Sequence, residues 1–278
     1  MLIQCSFFSQ VLKVNTNIDV IIPSPDSDEL LNKRKSSYFQ PGARFQVLYL
    51  LHGMYGDYSD WQRFTSIEKY AQSHQVAVVM PSVLNSFYQD MVYGQKFFTY
   101  LTEELPKYVQ NYFAIARRRE NTFVAGLSMG GYGAFYLALK CPEKYAAAAS
   151  LSGALDVAAT VENALKGTLP SAIRLDSVFA DPAHLAGTDK DLFTLAEGIQ
   201  KRHEELPKLF MTVGTEDFIY PINQSARKRF AGLNVPVEYR EYPGIHDWDF
   251  WDTHIKDVLN WLPLAGDAVF EDEEREAA

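Results

Sequence analysis

The chain has 278 residues, with 26 Lys and Arg against 35 Asp and Glu, for a formal net charge of -9; this leaves no basic stripe of the kind a nucleic-acid partner requires. Apolar residues make up 47% and charged residues 22%, the balance of a soluble globular protein, which excludes disordered and fibrous classes. The length suits one α/β domain over residues 1–278 built on one sheet with an insertion, and no apolar run approaches the roughly 20 residues a bilayer span needs.

Leu2 to Gln10 and Lys13 to Ile22 read as paired strands, because apolar and polar residues partly alternate and Asn15-Thr16-Asn17 and Pro23-Ser24-Pro25 supply breaks. The first eight residues lack the positive and apolar regions of a signal peptide, so a cytoplasmic protein is expected. Asp26 to Arg44 is polar and reads as a loop. Short apolar runs then recur at Val47 to Leu51, Val76 to Met80, Thr122 to Ala125, Ala146 to Leu151, Leu209 to Val213 and Val237 to Tyr242. Runs of this kind mark strands covered on both faces, as in a parallel sheet between helices. Helix-like segments separate them: Trp61 to Ser73, Lys96 to Tyr112 with a kink expected at Pro106, Gly131 to Leu139, Ile222 to Phe230 and Thr253 to Leu262. Two early strands and six later ones predict an eight-stranded, mostly parallel sheet.

After Asp156 the next sheet strand waits until Lys208. The stretch from about 156 to 205, with helical patterns at Val157 to Leu165 and Asp191 to Glu205 punctuated by Gly167, Pro170 and Gly187, is expected to form a lid or cap insertion. From about residue 268 the acidic tail, including Glu271-Asp272-Glu273-Glu274-Arg275-Glu276, predicts a frayed terminus. Arg117-Arg118-Arg119 reads as a solvated loop. Cys5 and Cys141 stand far apart with no cluster of metal-ligand spacing, so two buried free thiols and neither metal nor cofactor are expected.

Gly126-Leu127-Ser128-Met129-Gly130 is a Gly-x-Ser-x-Gly turn. A chain of this length meets that pattern by chance about one time in ten, but here an apolar strand ends just before Gly126 and a helix pattern opens after Gly130. Strand, strained turn and helix form the nucleophile elbow, which lifts a serine hydroxyl out of the sheet above a helix N-terminus that favours an oxyanion. No Lys follows as in a phosphate-binding loop, and the glycine spacing is not that of a dinucleotide site. Serine needs a histidine to take its proton and a carboxylate to orient that histidine, in the chain order Ser, Asp or Glu, His. Of the late histidines, His246 lies in a loop after the strand Val237 to Tyr242, whereas His203 and His254 fall inside helix patterns. Gly214-Thr215-Glu216-Asp217 leaves the end of the strand Leu209 to Val213, which makes Asp217 the acid with Glu216 as its competitor.

His52-Gly53-Met54 follows the strand Val47 to Leu51, the position from which such enzymes donate one oxyanion N–H. Met54 is the expected donor, with Gly53 the alternative, and Met129 supplies the second. His52 is read as a residue that structures its loop. Among the aromatic residues near these loops, Trp61 and Trp248 are the candidates for a substrate-binding wall.

On Leu51-His52-Gly53-Met54, Gly126-Leu127-Ser128-Met129-Gly130-Gly131-Tyr132-Gly133-Ala134, Gly214-Thr215-Glu216-Asp217-Phe218 and Gly244-Ile245-His246-Asp247-Trp248, the chain resembles the esterase D family of α/β-hydrolases, and most of all bacterial tributyrin-type esterases. The resemblance spans nearly the whole chain. It implies an α/β-hydrolase fold and a cytoplasmic serine carboxylesterase for short acyl esters, often a homo-oligomer, acting through Ser128, Asp217 and His246 on a small-molecule ester. The S-formylglutathione hydrolases of that family usually carry a histidine before and another shortly after the nucleophile, where this chain has Leu127 and Tyr132. A glutathione thioesterase and a carbohydrate esterase removing acetyl or feruloyl groups stand as alternatives.

Overall fold

A computed structural model describes residues 1–25, 27, 31, 38, 40–167 and 174–271. Most of the expected loop from 26 to 44, the turn at Pro170 and the tail from 272 onward lie outside the described residues. Eight strands form one sheet: β1 (Leu2–Ser9), β2 (Val14–Ile21), β4 (Val47–Leu51), β5 (Ala77–Pro81), β6 (Thr122–Leu127), β7 (Ala147–Leu151), β8 (Lys208–Gly214) and β9 (Val237–Tyr242), in the order β1-β2-β5-β4-β6-β7-β8-β9. β1 pairs antiparallel with β2, and β2 with β5; all later pairings are parallel. All eight expected strands are present. A second, two-stranded ribbon joins β3 (Ala43–Arg44) to β10 (Val269–Phe270).

The continuous apolar runs are explained by a core on each face of the sheet. Successive side chains of a strand point to opposite faces, and in β4 Val47, Tyr49 and Leu51 enter one buried cluster while Leu48 and Leu50 enter the other. The first cluster is covered by a helical segment over residues 97–112 (α3), α4 (Met129–Lys140), α5 (Val157–Leu165), α6 (Leu175–Val178), α7 (Leu192–Lys201) and α8 (Tyr220–Gly232). The second is covered by α1 (Asp60–Phe64), α2 (Ile67–His74) and α9 (Trp248–Trp261).

Several element boundaries differ from the sequence reading for local reasons. The segment expected as one helix from Trp61 to Ser73 is two, because Thr65 is extended (φ -139°, ψ 173°). Its hydroxyl bonds Trp61 O at 2.5 Å and accepts from Ile67 N at 3.1 Å, and Ser66 N is drawn to Asp252 of α9 at 2.9 Å. In α3 the expected kink takes the form of a π-helical turn at Tyr100–Glu104. Pro106 has no N–H for the carbonyl four residues back, and that carbonyl, on Thr102, accepts instead from Lys144 Nζ at 2.9 Å. Helix α9 starts five residues before the expected Thr253, with Asp247 capping it by accepting from Phe250 N at 3.0 Å.

The chain is also ordered further than the acidic composition suggests. Val269–Phe270 belongs to the ribbon, and the Glu271 carboxylate accepts from Arg117 N, Arg118 N and Asn121 Nδ2 at 2.8–3.0 Å. Fraying therefore does not begin at 268. The same contacts account for the arginine run, whose Arg119 donates to Pro142 O and pairs with Glu205. Cys5 and Cys141 are free, and half-buried rather than buried.

Candidate active site

Ser128 sits between β6 and α4 with φ 52° and ψ -117°, a strained backbone for a residue with a Cβ. The turn is possible because its glycines admit close backbone approach. A Cβ on Gly126 would lie 2.4 Å from Gly130 O, and one on Gly130 would lie 2.6 Å from both Leu51 O and His52 O. The nucleophile motif and the loop after β4 are thus packed against each other through glycine. Ser128 N is fixed by Leu151 O at 2.9 Å.

The sheet brings the distant residues to this point. Ser128 Oγ is 3.0 Å from His246 Nε2, and His246 Nδ1 is 2.9 and 3.0 Å from the two oxygens of Asp217. Asp217 is held in turn by Ile219 N, which donates to it at 2.9 Å, and its side chain is fully buried. Nδ1 facing a carboxylate carries the ring proton and leaves Nε2 to accept from the serine, the polarity a general base requires. Glu216, the competitor, points elsewhere: its carboxylate accepts from Gly244 N at 2.6 Å and Thr215 Oγ1 at 2.8 Å. The Gly244 amide, and then Thr215, hold it below the ordinary glutamate range. Glu216 therefore fixes the loop that carries His246. His254 is on α9 bonded to Asp257, and His203 lies just past α7.

Met54 and Met129 line one cavity with Ser128 and His246. Met129 opens α4, where the helix itself leaves amides unsatisfied, and neither the Met54 nor the Met129 amide has a partner among the described residues. His52 structures this loop from below. Its Nδ1 bonds Gly53 O at 2.6 Å, its Nε2 accepts from Val83 N at 3.1 Å, and its carbonyl accepts from Tyr88 OH at 2.7 Å. That pattern fixes the neutral tautomer, and burial pushes its pKa down.

The cavity measures about 380 Å³, within the range of small-molecule sites. Val161, Ala164 and Leu175 from the segment between β7 and β8 give it an apolar lining, to which Trp248 also contributes. Trp61 does not line it. It is 1% exposed, donates to Leu51 O at 3.0 Å and packs edge-on behind Trp248 at 5.4 Å. Sequence reading did not single out Phe218 or Asp60 and ranked Trp251, one of the aromatic residues near these loops, behind Trp61 and Trp248; all three line the cavity. Phe218 and Trp251 flank the His246 ring at 4.5 and 5.0 Å; Phe218 directly follows Asp217 and Trp251 lies five residues after His246, but only the fold turns them to the histidine. Among the described residues no group of three His, Cys, Asp or Glu side chains could hold a metal ion, and no helix is long and apolar enough to cross a membrane.

Known proteins agree with this architecture. The sequence model of the family described as "Putative esterase" matches residues 33–262. An "Acetyl esterase" of Caldicellulosiruptor saccharolyticus is 33% identical over 269 residues, covering 96% of this chain and 99% of that protein. Two solved structures from Staphylococcus aureus are each 30% identical and cover 94% of this chain and 98% of theirs: a fluorophosphonate-binding serine hydrolase (TM-score 0.82) and an S-formylglutathione hydrolase (TM-score 0.79). A ferulic acid esterase at 20% identity and TM-score 0.72 shares the fold. The chain thus belongs to the "Putative esterase" family, as a serine-type carboxylic ester hydrolase of the α/β-hydrolase fold.

Proposed function

We propose that the protein hydrolyses short-chain acyl esters through an acyl-enzyme on Ser128, in the manner of a tributyrin-type member of the esterase D group. His246 Nε2 takes the Ser128 proton as Oγ attacks the acyl carbonyl. The oxyanion accepts hydrogen bonds from the Met54 and Met129 amides, worth about 3–4 kcal/mol each in the transition state. When the C–O bond to the alcohol breaks, His246 returns the proton to the leaving oxygen. It then removes a proton from water, which attacks the acyl carbon and frees Ser128. Asp217 holds the ring and balances its charge while it is protonated.

The observation that carries this reading is the unbroken hydrogen-bonded chain from Ser128 through His246 to Asp217 at the wall of an apolar cavity. Segment 156–205, whose α5 and α6 form one wall, acts as the cap that bounds acyl length. Two free thiols suit a reducing cytoplasm, and the active form is a homo-oligomer, which light scattering on the purified protein checks. Ser128→Ala is expected to lower kcat for p-nitrophenyl acetate by at least about 10⁴-fold and to abolish labelling by a fluorophosphonate. Hydrolysis at the normal rate by that variant would overturn the assignment.

A thioesterase for S-formylglutathione is the second reading, favoured by the 30% identical S-formylglutathione hydrolase. Side-by-side kcat/KM values for S-formylglutathione and glyceryl triacetate separate the two.

A further inference from the structure

One feature of the cavity has no part in the acyl-transfer steps. Asp60, on α1, is the only carboxylate among the described residues that line it. The side chain is half-buried and makes no ion pair, and no hydrogen bond to another side chain, among the described residues. Its position is built rather than incidental. A Cβ on Gly56 would fall 2.0 Å from Asp60 Oδ2, so a glycine there is what lets the carboxylate lie against the loop that also carries Met54. Burial, and then the charge of Asp57, push its pKa above the ordinary aspartate value, against a backbone hydrogen bond at Asp57 and the charge of Arg63, which pull it down; the net rise reflects the cost of holding a carboxylate in an apolar wall. The same cavity is also lined by Trp248 and the exposed Tyr55, whose rings offer flat apolar surface.

A short acyl chain has no hydrogen-bond donor. Within the esterase reading, on which this inference rests, the alcohol half of the ester is therefore the only part of the substrate that can satisfy Asp60. The geometry points to Asp60 as a specificity-determining residue that accepts hydrogen bonds from free hydroxyl groups of the alcohol half and turns away anionic alcohols. The substrate class is the short-chain ester of a neutral polyol or sugar, with Asp60 bonded to a neighbouring hydroxyl and C–H faces resting on the aromatic side chains. Alcohols that carry carboxylates are disfavoured, because a like charge in a cavity of low dielectric repels them. Glutathione, with two carboxylates against one ammonium, is among these.

Three acetates that form the same acyl-enzyme test this: glyceryl monoacetate, which keeps two hydroxyls; ethyl acetate, which has none; and O-acetyl-lactate, whose alcohol half is anionic. kcat/KM covers the steps up to loss of the alcohol, so the change in each ratio between wild type and variant cancels the leaving group's own reactivity and reports recognition of the alcohol. The wild type should favour glyceryl monoacetate and turn over O-acetyl-lactate least. Asp60→Ala should lower the ratio of glyceryl monoacetate to ethyl acetate about tenfold, the loss expected when a hydrogen bond to a charged acceptor is removed. Asp60→Asn, which keeps the shape and an acceptor oxygen, should retain most of that ratio. It should also raise O-acetyl-lactate relative to ethyl acetate severalfold, an increase that shrinks at high salt.

Fluorophosphonate labelling of Ser128 in each variant establishes that the nucleophile is in place. Ratios within twofold of wild type in both variants, with turnover and labelling intact, overturn the role of Asp60 and leave the esterase reading standing. Failure of the wild type to hydrolyse any of the three acetates sinks both.

Discussion

At the scale of single residues, the site separates side chains that face the reaction from those that hold them. His52 belongs to the second group, and its chemistry gives a pH signature. Burial depresses its folded pKa below the ordinary 6.5, and both ring nitrogens are committed to the neutral form. Between the folded value and 6.5 the unfolded chain binds a proton that the native chain does not, so stability is complete above about pH 6.5 and declines as pH falls, with a slope of up to about 1.4 kcal/mol per unit. His52→Gln, which keeps a donor and an acceptor without the titration, should flatten the dependence of Tm on pH between about 5 and 6.5. An unchanged slope would assign that acid sensitivity to other groups. Ser128, Asp217 and His246 were legible in the sequence because each is tied to a turn at the end of a strand. Glu216 could not be dismissed that way. Two adjacent carboxylates share one loop, and only the backbone decides that one meets His246 while the other caps Gly244. Trp61 was misplaced for the same kind of reason, since its indole N–H is used on Leu51 O and aromatic composition carries no direction. Asp60 gave no signal at all, because a carboxylate in a polar loop reads as solvated until the fold turns it inward.

At the scale of elements, strands were read closely and helices less so. A strand covered on both faces writes itself as an unbroken apolar run, whereas helix ends depend on hydrogen bonds that composition does not show. The clearest case is α9. The pattern predicts a helix only from Thr253, but Asp247, next to His246, caps one that begins at Trp248. His246, the proposed base, therefore stands one residue before a helix cap, and the cap sets where its loop ends. Asp247→Ala is expected to cost about 1 kcal/mol of stability and to lower kcat severalfold with KM little changed, while Asp247→Asn, which still caps, stays near wild type. Equal activity in both variants would show that the loop is fixed by Glu216 and Gly244 alone. The π-helical turn of α3 teaches the same lesson. Pro106 announced an irregularity, but its form was set by Lys144, from a distant part of the chain, taking the Thr102 carbonyl.

At the scale of the whole molecule, Arg229 clamps two helix caps of the insertion between β7 and β8, beside the bonds from Tyr132 to Lys190 O and from Lys140 to Asp189. Asp156 and Asp191 cap α5 and α7, and Arg229 of α8 reaches both, at 2.9 and 3.7 Å, with its guanidinium 3.6 Å from the Phe193 ring centre. Arg229→Met leaves two buried carboxylates without their cation. We expect a loss of about 1–3 kcal/mol and faster hydrogen exchange across 157–201, with β4 to β8 unaffected. Uniform exchange over the chain would refute a local clamp. The sheet order has a consequence in time as well as in space. Ser128 is carried by a central strand, but the Asp217 and His246 side chains hydrogen-bonded in series with it hang from β8 and from the loop after β9, the last two strands of the sheet in the chain. Proteins are made from the N-terminus, so a growing polypeptide holds its serine long before it holds the groups that would make it reactive. On the proposed mechanism, newly made molecules stay chemically silent until the last two strands of the sheet have docked.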